Sequence, residues 1–207
     1  MVQVKICGIT NLDDALCAVE AGAFALGFNF YSRSPRYIEP VDARRIIAEL
    51  PPHILSVGVF VNESGPDVVA RIADEARVRA VQLHGDESPA YCRQLKDRFV
   101  IKALAVRDDF VPERVLEYET DAILLDSFAG HARGGTGQTF DWEIARRTSL
   151  IARKLFLAGG LSVENVAEAV ATVKPFAVDA CSRLESAPGK KDAVRVRAFM
   201  AAARVKP

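Results

Sequence analysis

The chain has 207 residues, enough to bury a full core, with 27 basic and 27 acidic side chains and no formal net charge. Half of its residues are hydrophobic and 26% are charged, an ordinary globular balance without the basic excess of a nucleic-acid or membrane-surface binder. No stretch approaches the ~18 apolar residues of a membrane span; the chain enters a strand-like run at once, without a basic-then-apolar leader, so a cytoplasmic location is expected.

Short apolar runs alternate with amphipathic stretches from end to end. Val2–Cys7 reads as a strand and Leu12–Ala21 as the helix after it, with Thr10-Asn11-Leu12-Asp13 fitting a capping box. Ala25–Phe30 then precedes a helix at Val41–Leu50, Leu55–Val61 one at Pro66–Ala76, and Ala80–His84 one at Pro89–Lys96. Val100–Val106 with Val111–Glu117 makes the fifth pair, and Ala122–Asp126 with Trp142–Thr148 the sixth. Leu155–Ala158 leads to Val163–Val173, where Ser162 is a suitable N-cap. Ala177–Cys181 leads to a last helix over Lys190–Ala203, and the basic run from Lys190-Lys191 to Lys206 reads as the solvated face of that helix. Eight strand-helix units at a period of roughly 26 residues predict a single (β/α)8 TIM barrel over residues 1–207, with no linker or composition break. An open doubly wound sheet shares the alternation, but its GxGxxG turn is replaced here by Cys7-Gly8-Ile9-Thr10.

In a (β/α)8 barrel, groups from several strands meet only at the C-terminal mouth. Polar residues near the strand ends are Cys7, Asn29, Gln82 with His84, Lys102, Asp126 with Ser127, and Asp179 with Cys181. Polar groups gathered at one end of otherwise apolar strands are costly to bury unless they pair or bind something, which favours a ligand pocket. Cys7 is the most informative of them. Alternation puts it on the same strand face as Lys5, and opposite a carboxylic acid such as Asp126 the two groups can move a proton from carbon to oxygen. The alternatives are a packed apolar Cys7, an Asp126 that caps its own turn and a His84 satisfied within the core.

Two loops read as phosphate cradles. In Ala158-Gly159-Gly160-Leu161-Ser162 the glycines let backbone N–H groups approach an anion, and Cys181-Ser182-Arg183 follows the eighth strand. Loops after strands seven and eight are where this fold holds phosphate. Gly134-Gly135-Thr136-Gly137 lacks the Lys-Ser/Thr of a Walker loop and reads as a closing flap. The four cysteines lie far apart without a CxxC pair, and the three histidines, His53, His84 and His131, are scattered. Neither a disulfide framework nor a metal site is expected.

Across nearly its full length the chain resembles the phosphoribosylanthranilate isomerase family, cofactor-free (β/α)8 enzymes of tryptophan biosynthesis. The likeness is carried by Lys5-Ile6-Cys7-Gly8, Ser34-Pro35-Arg36-Tyr37, Val57-Gly58-Val59-Phe60-Val61 and Val81-Gln82-Leu83-His84-Gly85. It continues through Leu124-Leu125-Asp126-Ser127, Phe140-Asp141-Trp142, Leu157-Ala158-Gly159-Gly160-Leu161 and Glu185-Ser186-Ala187-Pro188-Gly189-Lys190-Lys191-Asp192. The resemblance implies an Amadori rearrangement of N-(5-phosphoribosyl)anthranilate by general acid/base catalysis, with no cofactor. It makes Asp126 the acid that protonates the furanose ring oxygen and Cys7, as thiolate, the base at C2′. Asp126 should then hold a proton at neutral pH, its pKa raised by the apolar surroundings of Leu124 and Leu125 or by the substrate itself. Lys5 is the nearest cation by sequence to favour the thiolate.

By the same resemblance Arg36 takes the anthranilate carboxylate, and Gly159, Gly160, Ser182 and Arg183 take the phosphate. His84 and Asp179 complete the expected substrate-binding set. The expected partner is a small phosphorylated molecule, with no nucleic acid or membrane, and the assembly a monomer or homodimer. A metal-dependent phosphosugar epimerase and a barrel that binds such a ligand without turnover are the other readings. The family commonly has Val-Asp-Val-Ser-Ser-Gly-Val-Glu where this chain has Val178-Asp179-Ala180-Cys181-Ser182-Arg183-Leu184-Glu185. Arg183 in place of glycine is tolerable only at negative φ. Cys181 falls where an inward-facing thiol would lie beside Cys7, close enough to cross-link if the Cα atoms stand within ~7 Å.

Overall fold

The short aliphatic runs pair in chain order and close on themselves. The computed structural model describes residues 1–127 and 141–204. Its eight parallel strands are β1 (Gln3–Cys7), β2 (Ala25–Asn29), β3 (Leu55–Phe60), β4 (Ala80–Leu83), β5 (Phe99–Val106), β6 (Ala122–Ser127), β7 (Leu155–Leu157) and β8 (Ala177–Ala180). β8 pairs back onto β1, so the sheet is a closed barrel rather than an open doubly wound one. Around it lie α1 (Leu12–Glu20), α2 (Pro40–Ala48), α3 (Pro66–Ala76), α4 (Pro89–Arg93), α5 (Trp142–Ser149), α6 (Val166–Val173) and α7 (Ala193–Ala203).

Of the boundaries that differ from expectation, three change how a segment is used. Between β5 and β6 the helix is a 3₁₀ turn, Pro112–Glu117, opened by a proline in its first turn. Ser162 does not cap α6. Asn165 stands at the N-cap, and its Oδ1 accepts from the Ser162 N–H at 2.8 Å, so the helix begins three residues later than its pattern. Lys190 and Lys191 do not open the last helix. They form β10 (Lys190–Lys191), an antiparallel partner of β9 (Glu185–Ala187) across Pro188-Gly189. α7 starts only at Ala193, where Asp192 accepts from the N–H groups of Val194 and Arg195. At the other end of the chain Asn11 caps α1 by accepting from the Asp14 N–H at 2.9 Å, while the Thr10 hydroxyl donates to the Gly189 carbonyl and ties the hairpin to the first loop.

Strand alternation divides the core into two shells. Ala25, Val57, Ala80, Ile101, Leu124, Phe156 and Ala177 pack inside the barrel, while Leu26, Leu83, Leu104, Leu125 and Val178 face the helices. Phe24, Phe99 and Phe176, at the N-terminal ends of β2, β5 and β8, pack on the inner shell and floor the barrel. Above that floor the inward positions turn polar. Register sets Lys5 beside Asp179 and Val59 beside Gln82, and Asp126 falls two residues beyond inward-facing Leu124. Leu125 faces the helices, so of the two leucines expected to surround Asp126 only Leu124 shares its face.

Lys102 is a second correction by parity. It pairs with outward-facing Leu83, and its buried ammonium donates to the carbonyls of Leu83 (3.1 Å) and Gly85 (2.7 Å) and to Glu87 (2.7 Å). It supports the loop after β4 from outside the barrel and does not reach the mouth.

Candidate active site

A cavity of about 930 Å³ opens at the C-terminal mouth. Cys7, Arg36, His84, Asp126, Gly159, Gly160, Asp179, Ser182 and Arg183 all line it. These residues come from six different strand ends and loops, brought together only by closure of the barrel.

Cys7 ends β1 and is 9% exposed. Gly8, at φ +75°, turns the chain away immediately after it, and a Cβ there would meet Arg36 Cδ at 2.8 Å and Cys181 Sγ at 2.9 Å. The Cys7 thiol is held well below the usual thiol range, first by a hydrogen bond from Cys181; burial opposes this, and the charges of Lys5, Lys191 and His84 reinforce it. Cys181 moves the opposite way, raised by the same hydrogen bond and by burial. The two neighbouring thiols are thus pushed in opposite directions.

Under Cys7 the Lys5 ammonium, fully buried, donates to Asp179 Oδ1 at 2.9 Å. Burial disfavours its charge, but Asp179 and Cys7 outweigh that and raise its pKa, so Lys5 stays protonated. Burial pushes the Asp179 carboxyl up to about 7, against the pull of Lys5. One buried cation thus faces two acidic groups, the arrangement that Lys5 was expected to make with Cys7 and one that also enlists Asp179.

Across the barrel, Asp126 near the end of β6 is 7% exposed. His84 Nε2 lies 3.2 Å from Asp126 Oδ2, and His84 Nδ1 lies 2.8 Å from the side-chain nitrogen of Gln82. The imidazole thus bridges Gln82 and Asp126 through its two ring nitrogens. His84 is therefore a cavity-lining partner of the acid, not a satisfied core histidine. Gln82 Oε1 is buried without a hydrogen-bond partner.

Arg36 is carried by the loop after β2, which Asn29 fastens: its Oδ1 accepts from the Tyr31 N–H and its Nδ2 donates to Ser34, whose hydroxyl oxygen accepts from the Arg36 N–H. The guanidinium forks onto Glu185 through Nε (2.9 Å) and Nη2 (2.8 Å), which fixes its plane and leaves Nη1 for another acceptor. Lys191 donates to Glu185 Oε1 from the other side at 2.9 Å. Glu185 and Lys191 are buried parts of the site that the sequence reading missed. Lys191 was assigned to a solvated helix face, but β10 turns it inward and leaves it 5% exposed.

At the seventh and eighth loops Gly159 and Gly160 have φ of +87° and +64°, and a Cβ on Gly159 would stand 2.6 Å from the Ser127 backbone nitrogen. Ser182 and Arg183 lie in a 3₁₀ turn, Ser182–Leu184. Arg183 is not among the positive-φ residues, so the loop accepts arginine for glycine without backbone strain. The glycine run 134–137 expected to act as a flap lies outside the described residues. Among the described residues no group of three or more His, Cys, Asp or Glu is arranged to hold a metal ion, and no helix is long and apolar enough to cross a membrane.

Known proteins share this fold and about half of this sequence. Residues 4–202 match the family profile described as N-(5'phosphoribosyl)anthranilate (PRA) isomerase. The N-(5'-phosphoribosyl)anthranilate isomerase of Geobacter sulfurreducens is 52% identical over 204 residues, covering 99% of each chain. The crystal structure of the Thermotoga maritima phosphoribosyl anthranilate isomerase superposes with a TM-score of 0.92 at 48% identity, covering 99% of both chains. A phosphoribosyl anthranilate isomerase in complex with reduced 1-(o-carboxyphenylamino)-1-deoxyribulose 5-phosphate superposes at 0.89, with 47% identity and the same coverage. With half the residues identical along the whole barrel, this chain belongs to the N-(5'-phosphoribosyl)anthranilate isomerase family.

Proposed function

We propose that residues 1–207 act as one catalytic barrel that converts N-(5-phosphoribosyl)anthranilate into 1-(2-carboxyphenylamino)-1-deoxyribulose 5-phosphate. The observation that carries this reading is that Cys7 and Asp126, from β1 and β6, line one cavity. Asp126, touched by His84, protonates the furanose ring oxygen, and the C1′–O bond breaks to give a Schiff base. The Cys7 thiolate then takes the proton from C2′, leaving an enolamine that tautomerises to the ketone. C2′ is oxidised and C1′ reduced within one molecule, so the reaction is an aldose–ketose isomerisation, an intramolecular oxidoreduction that draws on no external oxidant.

Binding divides between the two sides of the mouth. Arg36, its fork held by Glu185, offers Nη1 to the anthranilate carboxylate. The backbone of Gly159 and Gly160, with Ser182 and the cation of Arg183, receives the phosphate. Asp179 keeps Lys5 oriented beneath Cys7 and faces the sugar. An assembly no larger than a homodimer and a place in cytoplasmic tryptophan biosynthesis belong to the same reading.

Loss of the fluorescence of the anthranilate adduct measures the reaction directly. Turnover without added metal or cofactor is the expected result. Tight binding of the ketose product with no turnover would instead favour a barrel that only holds such a ligand.

A further inference from the structure

The loop after β8 brings a second thiol to Cys7. Register pairs Ile6 with Ala180 on the neighbouring strands β1 and β8, and Cys7 and Cys181 are the next residues of each. Neighbouring strands run about 4.8 Å apart, and at this point both side chains line the cavity. A Cβ on Gly8, the residue after Cys7, would stand 2.9 Å from Cys181 Sγ, so the second thiol lies against the end of β1. Cys181 Sγ also lies 3.8 Å from Glu185 Oε1 and 3.8 Å from Lys191 Nζ.

Two anions cannot be placed side by side at no cost, so one sulfur keeps its proton. The charges around the pair decide which. Cys7 is faced by the ammonium of Lys5 from its own strand, by Lys191 from β10 and by His84 from the loop after β4. The acidic groups on its side, Asp179 and Asp126, are engaged by Lys5 and His84 respectively. Cys181 has the Glu185 carboxylate against it, and the Lys191 and Arg36 charges that would favour its anion are hydrogen-bonded to that same carboxylate.

We propose that Cys181 is a positioning residue for the catalytic base: its S–H donates to the Cys7 sulfur, holding Cys7 as a thiolate aimed into the cavity. The inference rests on Cys7 being the base of the proposed isomerisation and adds the group that keeps it ionised. An S–H is a weak donor in general, but toward an adjacent sulfur anion it is charge-assisted. Serine would keep a donor, and alanine or valine would remove it.

The test is the pH dependence of Cys7 alkylation by iodoacetamide, read by mass spectrometry on the Cys7 peptide. The chain has four cysteines, so the readout must be residue-specific. Wild type should react with a midpoint well below the ordinary thiol value. Cys181→Ala should raise that midpoint by about one to two pH units, and Cys181→Ser should restore most of the difference. Cys181→Val, close in volume but without a donor, repeats the measurement if the alanine variant folds poorly. The acidic limb of the kcat profile should move with the alkylation midpoint while KM changes little. Coincident alkylation curves for wild type and the alanine or valine variant would overturn the proposal. So would a neutral-pH thiolate absorbance that survives in Cys7→Ala and vanishes in Cys181→Ala, because Cys181 would then be the anion. Full turnover by Cys7→Ala would remove the base assignment instead and leave the alkylation shift standing.

Discussion

At the scale of single residues, Lys5 carries the most electrostatic consequence. It is fully buried, donates to Asp179 and faces Cys7, so one cation stabilises charge on two neighbours. Replacing it with methionine would keep the stem's packing and remove that charge. We predict that Cys7 in Lys5→Met alkylates with a midpoint shifted toward that of an ordinary thiol. A rate identical to wild type across pH would show that Lys5 serves only Asp179. Residue-level chemistry was legible in the sequence wherever alternation alone decided it. Cys7 and Asp126 face inward because each is two residues from an inward neighbour, Lys5 and Leu124. Lys102 is misplaced by parity: it pairs with Leu83 and so lies mid-strand on the outer face of β5.

At the scale of elements, the β9–β10 hairpin is what a strand-helix period could not foresee. A basic run before a helix looks like a solvated surface, and only the turn at Pro188-Gly189 folds Lys191 back onto Glu185 and Cys181. Glu185 then holds both that lysine and the Arg36 fork, so the loop after β2 and the loop after β8 are joined through one carboxylate. Burial pushes the Glu185 carboxyl up, but the hydrogen bonds and charges of Arg36 and Lys191 overcome this and leave it lowered. Because its folded pKa lies below the unfolded one, its contribution to stability is complete above the ordinary carboxylate value of about 4.3 and is lost as pH falls through the folded value. Glu185→Gln should cost about 3 kcal/mol at neutral pH by leaving buried Lys191 without its counter-charge. Its loss of stability on acidification should also be shallower than that of wild type. Urea unfolding from pH 7 down to pH 3 tests both, and parallel curves with equal midpoints would mean the carboxylate bears no net load.

At the scale of the whole molecule, closure of the barrel makes the site. β1 and β6 meet only across its interior, and Cys7 and Asp126 share a cavity because β8 seals against β1. The strands and the polar ends of the inner shell were readable from short apolar runs. The place of Lys191 depends on contacts between distant segments, such as its N–H donating to Asp14, which no local pattern encodes. The central claim, that a thiolate and a carboxylic acid facing one pocket do the proton transfers, is tested most directly by kcat for Cys7→Ala and Asp126→Asn. Each should lose about 10²- to 10⁴-fold in kcat with little change in binding of the reduced product analogue. Near-wild-type kcat in either variant would contradict the account.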